Sequence, residues 1–336
     1  MTMPLIVRIS QYFGFVATEI STLLLLYLII TKGAKKLGTY KYVMLSYSVF
    51  SVIYAVVEIL TQPIMHLHGA SLFVYADSFL KSYKFISRPI VCLYCASFGL
   101  CVSLLATHFF YRYLAICRPS DLSRFDDLKL LKLFILPIFF STIWFLIAYV
   151  SLEPSDVKSK YMKIPIRETY NDETSKLGYI GVLYYYPDES GQMFINYSDF
   201  ASCFGICGIM GLFITIILIC GFLTFRKMES VGATMSFKTK ELNNQLFRTL
   251  VVQTMVPILT MFTPVGLLVI FPMFSINVGK FANAPSLNAG IYPALDATIA
   301  IFMIRDFRDV VICRRGRRVT FITNTSAAQY SVTADI

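Results

Sequence analysis

Charged side chains are scarce in the long apolar stretches of this sequence, so the few that occur there are the first candidates for chemistry. They are Glu19, Glu58, Asp296 and Arg112. A charge in hydrocarbon is costly and is kept where it meets a partner, a polar cavity or a moving part. Asp296 lies in an otherwise uncharged stretch and reads as a switch residue, or as a protonated, hydrogen-bonded structural one. Glu58 precedes Pro63 by about one helical turn, where it borders a ligand pocket or pairs with a neighbour. Arg112 ends a run of 23 residues without Lys, Arg, Asp or Glu. It either snorkels to the membrane interface or points inward and takes part in a switch.

Other reactive side chains form no catalytic constellation. The sequence has no phosphate loop, dinucleotide fingerprint or nucleophile elbow. His66 and His68 have no neighbouring Cys or paired acids at zinc spacing, so they are expected in a solvated loop, with no metal and no cofactor. The eight cysteines are scattered and are expected to be mostly small apolar residues. A bridge from Cys92 or Cys95 to Cys203 is chemically permitted on an outer surface; free thiols are the alternative. Cys313, among arginines, suits palmitoylation or a free thiol. Asn196-Tyr197-Ser198 is a glycosylation sequon.

The elements that must position these residues are apolar and long. Hydrophobic residues make up 56% of the chain and charged ones 15%, too greasy for a soluble surface. Seven stretches reach the roughly 20 residues a membrane helix needs: about 11–31, 42–61, 89–111, 133–150, 200–225, 246–274 and 281–304. They do not alternate as barrel strands do. The fold class expected is therefore an all-α membrane protein, a bundle of seven helices. With the N-terminus outside, the inner segments carry twenty Lys and Arg and the outer ones ten. The net charge of +10 then belongs to a membrane surface or cytosolic partner, not to nucleic acid. The absence of matching halves argues against a transporter.

Within the loops, Tyr179–Tyr186, a turn at 187–191 and Gln192–Tyr197 read as a hairpin. It is expected to form a partial lid in the outer loop 151–199, with a disordered loop as the alternative. Arg305 to Arg318 reads as a short basic helix along the inner face, followed by a disordered tail from Val319. Pro257 and Pro264 bend the sixth helix. The row Gly205, Gly208 and Gly211 suggests close packing of the fifth. A pocket between the outer halves of the helices would be lined by Cys95, Phe98, Gly99, Val102, Phe204, Met261, Phe262 and Leu287, with Glu58 nearby. Such apolar walls suit a small neutral or lipophilic ligand; plain packing is the other reading for each residue.

The stretch His108 to Pro119, with Tyr111-Arg112-Tyr113 followed by Leu-Ala-Ile-Cys, resembles the end of helix three in rhodopsin-like receptors. There an acid-Arg-Tyr triplet governs activation, and here Tyr111 replaces the acid. In this form it resembles the nematode serpentine chemoreceptors of the Str class. The segments 37–66, 245–266 and 292–308 resemble the same family's helix two, helix six and helix-seven junction. The family's helix seven usually has Asp-Pro; here it is Asp296-Ala297, with Pro293 retained. The resemblance implies rhodopsin-like receptor architecture and an olfactory receptor in a sensory cilium. Its partners would be a small odorant, a heterotrimeric G protein, membrane lipid and possible receptor oligomers. His108, Tyr111, Arg112, Tyr113, Arg226, Lys227, Arg248, Pro257, Pro264, Pro293 and Asp296 would form the switch and coupling region. A ligand-gated channel, or an assembly partner without its own ligand, is the alternative.

Overall fold

A computed structural model of the chain describes residues 5–33, 37–122, 125, 127–187, 191–231 and 237–313. The expected tail, the arginines after Cys313 and the turn residues 188–190 lie outside these. Six helices are individually long and apolar enough to cross a membrane: Leu5–Gly33, Tyr40–Thr61, Lys84–Cys117, Lys129–Ser151, Tyr197–Ser230 and Thr239–Phe274. A seventh, Lys280–Met303, qualifies together with Arg305–Val311, from which it is bent by 96°. These are helices one to seven below.

Packing in such a bundle rests on close contact and polar ties, because lipid tails are as apolar as the side chains. Helix one lies against helix seven so tightly that a Cβ on Gly14 would fall 2.4 Å from the Gly290 carbonyl oxygen. Helix three runs through the core, and a Cβ on Gly99 would meet the Trp144 ring at 2.5 Å. The expected glycine row of helix five does not pack in this way. Gly208 and Gly211 have no neighbour within 4 Å of the Cβ position, and Gly205 meets only Ile147. That face of helix five points away from the bundle. Helix six is broken as its prolines demand: an α-helix ends at Pro257, a π turn runs Ile258–Phe262, and a new α-helix starts at Thr263 with Pro264 in its first turn.

One end of the bundle carries a cap, at the N-terminal end of helix one. Strands β1 (Pro63–His68) and β2 (Ser71–Ala76) form an antiparallel hairpin. Its turn places Gly69 at a φ of 53°, a backbone region that suits glycine. Strand β3 (Tyr179–Leu183) adds to β2, pairing Val74 with Ile180. A cap helix, Asp156–Tyr170, lies over the sheet. It is capped at its start by the Ser155 hydroxyl, which accepts from the Lys158 amide at 3.2 Å. Period-two alternation divides the sheet between two cores. Met65, Leu72, Val74, Ile180 and Val182 face the bundle. Ile64, Phe73, Tyr75 and Tyr179 face Met162, Ile166 and Tyr170 of the cap helix, whose four-residue spacing makes one helical stripe.

The loop hairpin expected over Tyr179–Tyr197 is thus divided. Strand β3 joins the distant β2, and only β4 (Tyr185–Pro187) and β5 (Met193–Ile195) pair locally. His66, expected in a solvated loop, is buried in β1, with Nδ1 3.4 Å from the Tyr170 hydroxyl. Burial holds its imidazole well below the ordinary range, at about 4, and His68 beside it pushes the same way.

Candidate functional site

Between the cap and the helices lies a small, partly enclosed cavity of about 90 Å³. Its roof is Met65, Leu72, Val74, Ile180 and Val182 of the sheet. Its walls are Cys95 and Phe98 of helix three, Trp144 and Ala148 of helix four, Cys203 and Ile206 of helix five, and Val265, Leu268 and Val269 of helix six. The lining is almost wholly apolar, so it can select by size and shape but offers few hydrogen bonds. Cys95 and Cys203 share this wall without bonding, and the chain's eight cysteines are free thiols. That corrects the Cys92 or Cys95 bridge to Cys203; the Cys203 thiol instead meets the Tyr184 hydroxyl.

Of the other residues expected here, Gly99 serves as the seat of Trp144. Val102, Met261 and Phe262 are buried in the packed core beneath the cavity. Phe204 is 64% exposed on the outer side of helix five and is not a wall at all. Leu287 packs beside the cap-helix core, where its carbonyl accepts from Ser10 at 3.1 Å. Glu58 is buried against helix seven, where a Cβ on Gly290 would lie 3.0 Å from its Oε1.

The roof is tied down by groups that read as ordinary loop charges in the sequence. Lys158 of the cap helix and Asp199 at the start of helix five form a buried ion pair at 3.0 Å. Lys158 reaches both Asp199 oxygens, and Oδ2 also accepts from the β3 amide of Leu183 at 2.7 Å. Asn283, in the first turn of helix seven, accepts from the Met65 amide at 2.8 Å and donates to the Tyr170 hydroxyl at 2.9 Å. Lys81 bridges Asp77 and Asp172, both at 2.6 Å, and Arg8 reaches Asp77 at 3.7 Å. Asn196, the sequon residue, caps helix five by accepting from the Asp199 amide at 3.3 Å.

At the opposite end Arg112 points into the bundle and is 4% exposed. Its guanidinium lies 4.0 Å from the Tyr40 ring centroid and donates to Asn243 of helix six at 3.5 Å. The guanidinium thus packs on an aromatic face, and no acid stands at position 111 beside it. Tyr111 is itself buried, its ring 5.4 Å from Tyr40. His108 is 3.0 Å from the Val43 carbonyl and 3.5 Å from the Tyr40 hydroxyl. Tyr113 is half-buried against the core.

Asp296 is buried one turn beyond Pro293. It accepts from the Gln253 amide of helix six at 3.0 Å. Tyr47 and Tyr292 meet hydroxyl to hydroxyl, joining helices two and seven. Arg226, Lys227 and Arg248 are exposed. Arg248 lines a membrane-facing cleft of about 870 Å³ between helices five and six, and Arg112 does not reach it.

Comparison with known proteins fits this geometry. Squid rhodopsin superposes with a TM-score of 0.57 at 15% identity, covering 94% of this chain and 82% of that one. Serpentine receptor class r-10 of Caenorhabditis briggsae is 33% identical over 311 residues, 91% of this chain and 89% of the relative. Its Caenorhabditis elegans counterpart is 30% identical over 336 residues, 97% and 96%. The G-protein coupled receptor str-33 of Caenorhabditis elegans is 25% identical over 305 residues, 90% and 88%. The family model for serpentine type seven-transmembrane GPCR chemoreceptors, Str, matches residues 7–312, and the chain belongs to that family.

Proposed function

We propose that this chemoreceptor sits in the plasma membrane of a sensory cilium with its N-terminus outside. In this reading it binds a small volatile or lipophilic molecule beneath the cap and activates a heterotrimeric G protein from the Arg112 end. The single observation that carries this reading is the apolar cavity roofed by the sheet and walled by helices three to six. An engineered apolar cavity of about 150 Å³ holds benzene, so this smaller one suits about three or four non-hydrogen atoms. The best small ligands gain about 1.5 kcal/mol per atom, which sets a ceiling at about tens of micromolar affinity.

Signalling then requires that the ligand prefer one of two helix arrangements. Helix six touches both ends. It supplies Val265, Leu268 and Val269 to the cavity, and Gln253 and Asn243 to Asp296 and Arg112. The π turn between its prolines is the natural place for the two halves to move independently.

The test is G-protein activation and membrane current recorded in the same cells, with a panel of small volatiles. The expected result is ligand-driven G-protein activation that Arg112→Ala reduces at least tenfold while surface expression holds. Full activation by Arg112→Ala would remove Arg112 from the mechanism. Current that survives complete G-protein block would replace the receptor reading with a channel.

A further inference from the structure

A second cluster of buried groups lies apart from the apolar cavity, among helices one, two, three and seven. Its members are polar, and three of the five have buried atoms without a partner among the described residues. Glu58 Oε1, both amide atoms of Gln11 and the Ser286 hydroxyl are each buried with no hydrogen bond to or from any described residue, while the buried Tyr54 and Tyr94 hydroxyls have only each other. All five residues are 3% exposed or less. Such a concentration is unusual, since a buried polar atom left unpaired costs about 1–3 kcal/mol.

Helix register brings these groups together. Gly14 touches Gly290, and Gly290 touches the Glu58 carboxyl. Gln11 lies one turn toward the cap from Gly14, and Ser286 one turn toward the cap from Gly290. Ser10 and Leu287 meet at the same level. Tyr54 is one turn below Glu58 on the same helix, and its ring centroid is 6.2 Å from that of Tyr94. The Phe98 ring, 5.2 Å from Tyr94, stands between this cluster and the apolar cavity that it also lines.

The cluster has one carboxyl group and no described base beside it. Arg8, on helix one, is held at Asp77, and Arg88, on helix three, at Glu153 and the Tyr149 carbonyl. Helices two and seven bring no Lys or Arg to this level. Water would satisfy the hydroxyls, the amide and a neutral carboxyl, whereas the ionised form of Glu58 is compensated in this low dielectric only by a cation. A set of hard oxygen donors around one negative charge matches a singly charged cation.

We propose that Glu58, Gln11, Ser286, Tyr54 and Tyr94 form a binding site for a small monovalent cation, distinct from the apolar cavity. The cation is either an inorganic ion such as sodium or the ammonium group of a small organic amine. The site binds helix two to helices one and seven, and is independent of what fills the cavity across Phe98.

The test is thermal unfolding of the purified receptor in nanodiscs at constant ionic strength and pH. Sodium chloride is compared with N-methylglucamine chloride, and then with added methylammonium chloride. The expected result is a melting temperature higher by about 2 °C with the bound cation. The shift should vanish in Glu58→Gln and shrink in Gln11→Leu and Ser286→Ala. An effect of sodium identifies an inorganic ion; an effect of methylammonium alone identifies an organic amine. Equal melting in all three salts for the wild type overturns the proposal, as does an undiminished shift in Glu58→Gln. Should Glu58→Gln fail to fold, sodium-23 line broadening by the wild type, and its loss in Ser286→Ala, decides the same question.

Discussion

At the cap end, Lys158, Asp199, Asn283 and Tyr170 tie the sheet, the cap helix and the helix ends to one another. At the opposite end, the buried Arg112 Nε and Nη2 donate to no described residue, and the buried Asp296 Oδ1 accepts from none. The first arrangement suits a fixed lid over a cavity. The second suits an element with two resting positions, because partly satisfied polar groups gain from rearrangement as fully satisfied ones do not. Helix six links them and carries the proline-bounded π turn between.

The largest effect that would break this contrast is at Asp199. Asp199→Ala leaves Lys158 charged and buried and the Leu183 amide without its acceptor. The expected loss is about 3–5 kcal/mol of stability, read as a lower melting temperature with the cap unfolding first by hydrogen exchange at Leu183. A change no larger than at an exposed loop charge would mean the cap is not held from this point. Next in size is Phe98, which lines the cavity. Phe98→Leu should cost about 1–3 kcal/mol and shift ligand preference toward molecules larger by one or two carbons. An unchanged size preference in a dose–response series would move the ligand elsewhere.

The bundle itself was readable from seven apolar runs and from Pro257 and Pro264, because membrane helices satisfy their own backbone and leave a local signature. The cap was not. Strand β2 pairs with β3 more than a hundred residues away, Ser71 opposite Leu183, and both faces of the sheet are buried, so neither strand alternates apolar with polar. Lys158 and Asp199 are 41 positions apart, and nothing in either neighbourhood marks one as the other's partner. Phe204 and the glycines of helix five misled for a related reason. A helix that is apolar all round does not say which side faces lipid. The apolar stripe Met162, Ile166 and Tyr170, about two helical turns long, lay in a stretch read only for its charge and was missed.

The cap's burial of His66 gives a smaller effect with a definite sign. Its pKa is lowered to about 4 from 6.5, so the unfolded cap binds the proton more readily. Stability is fully present above about pH 6.5 and falls as pH drops toward 4, by about 1–2 kcal/mol at pH 5. Hydrogen exchange at β1 and β2 should accelerate over that window. His66→Gln should flatten the dependence while the Lys158–Asp199 pair holds.

The smallest expected effect makes the comparison sharpest. Phe204 and Cys203 are adjacent in helix five, yet Cys203 is buried in the cavity wall while Phe204 is 64% exposed. Phe204→Leu should therefore change stability by less than about 0.5 kcal/mol and leave ligand dose–response curves superimposable. Cys203→Phe, one residue earlier, should fill the cavity and abolish the response at unchanged surface expression. If instead Phe204→Leu shifts the dose–response curve and Cys203→Phe does not, the ligand lies on the membrane side of helix five, and the roofed cavity is a packing defect of the cap.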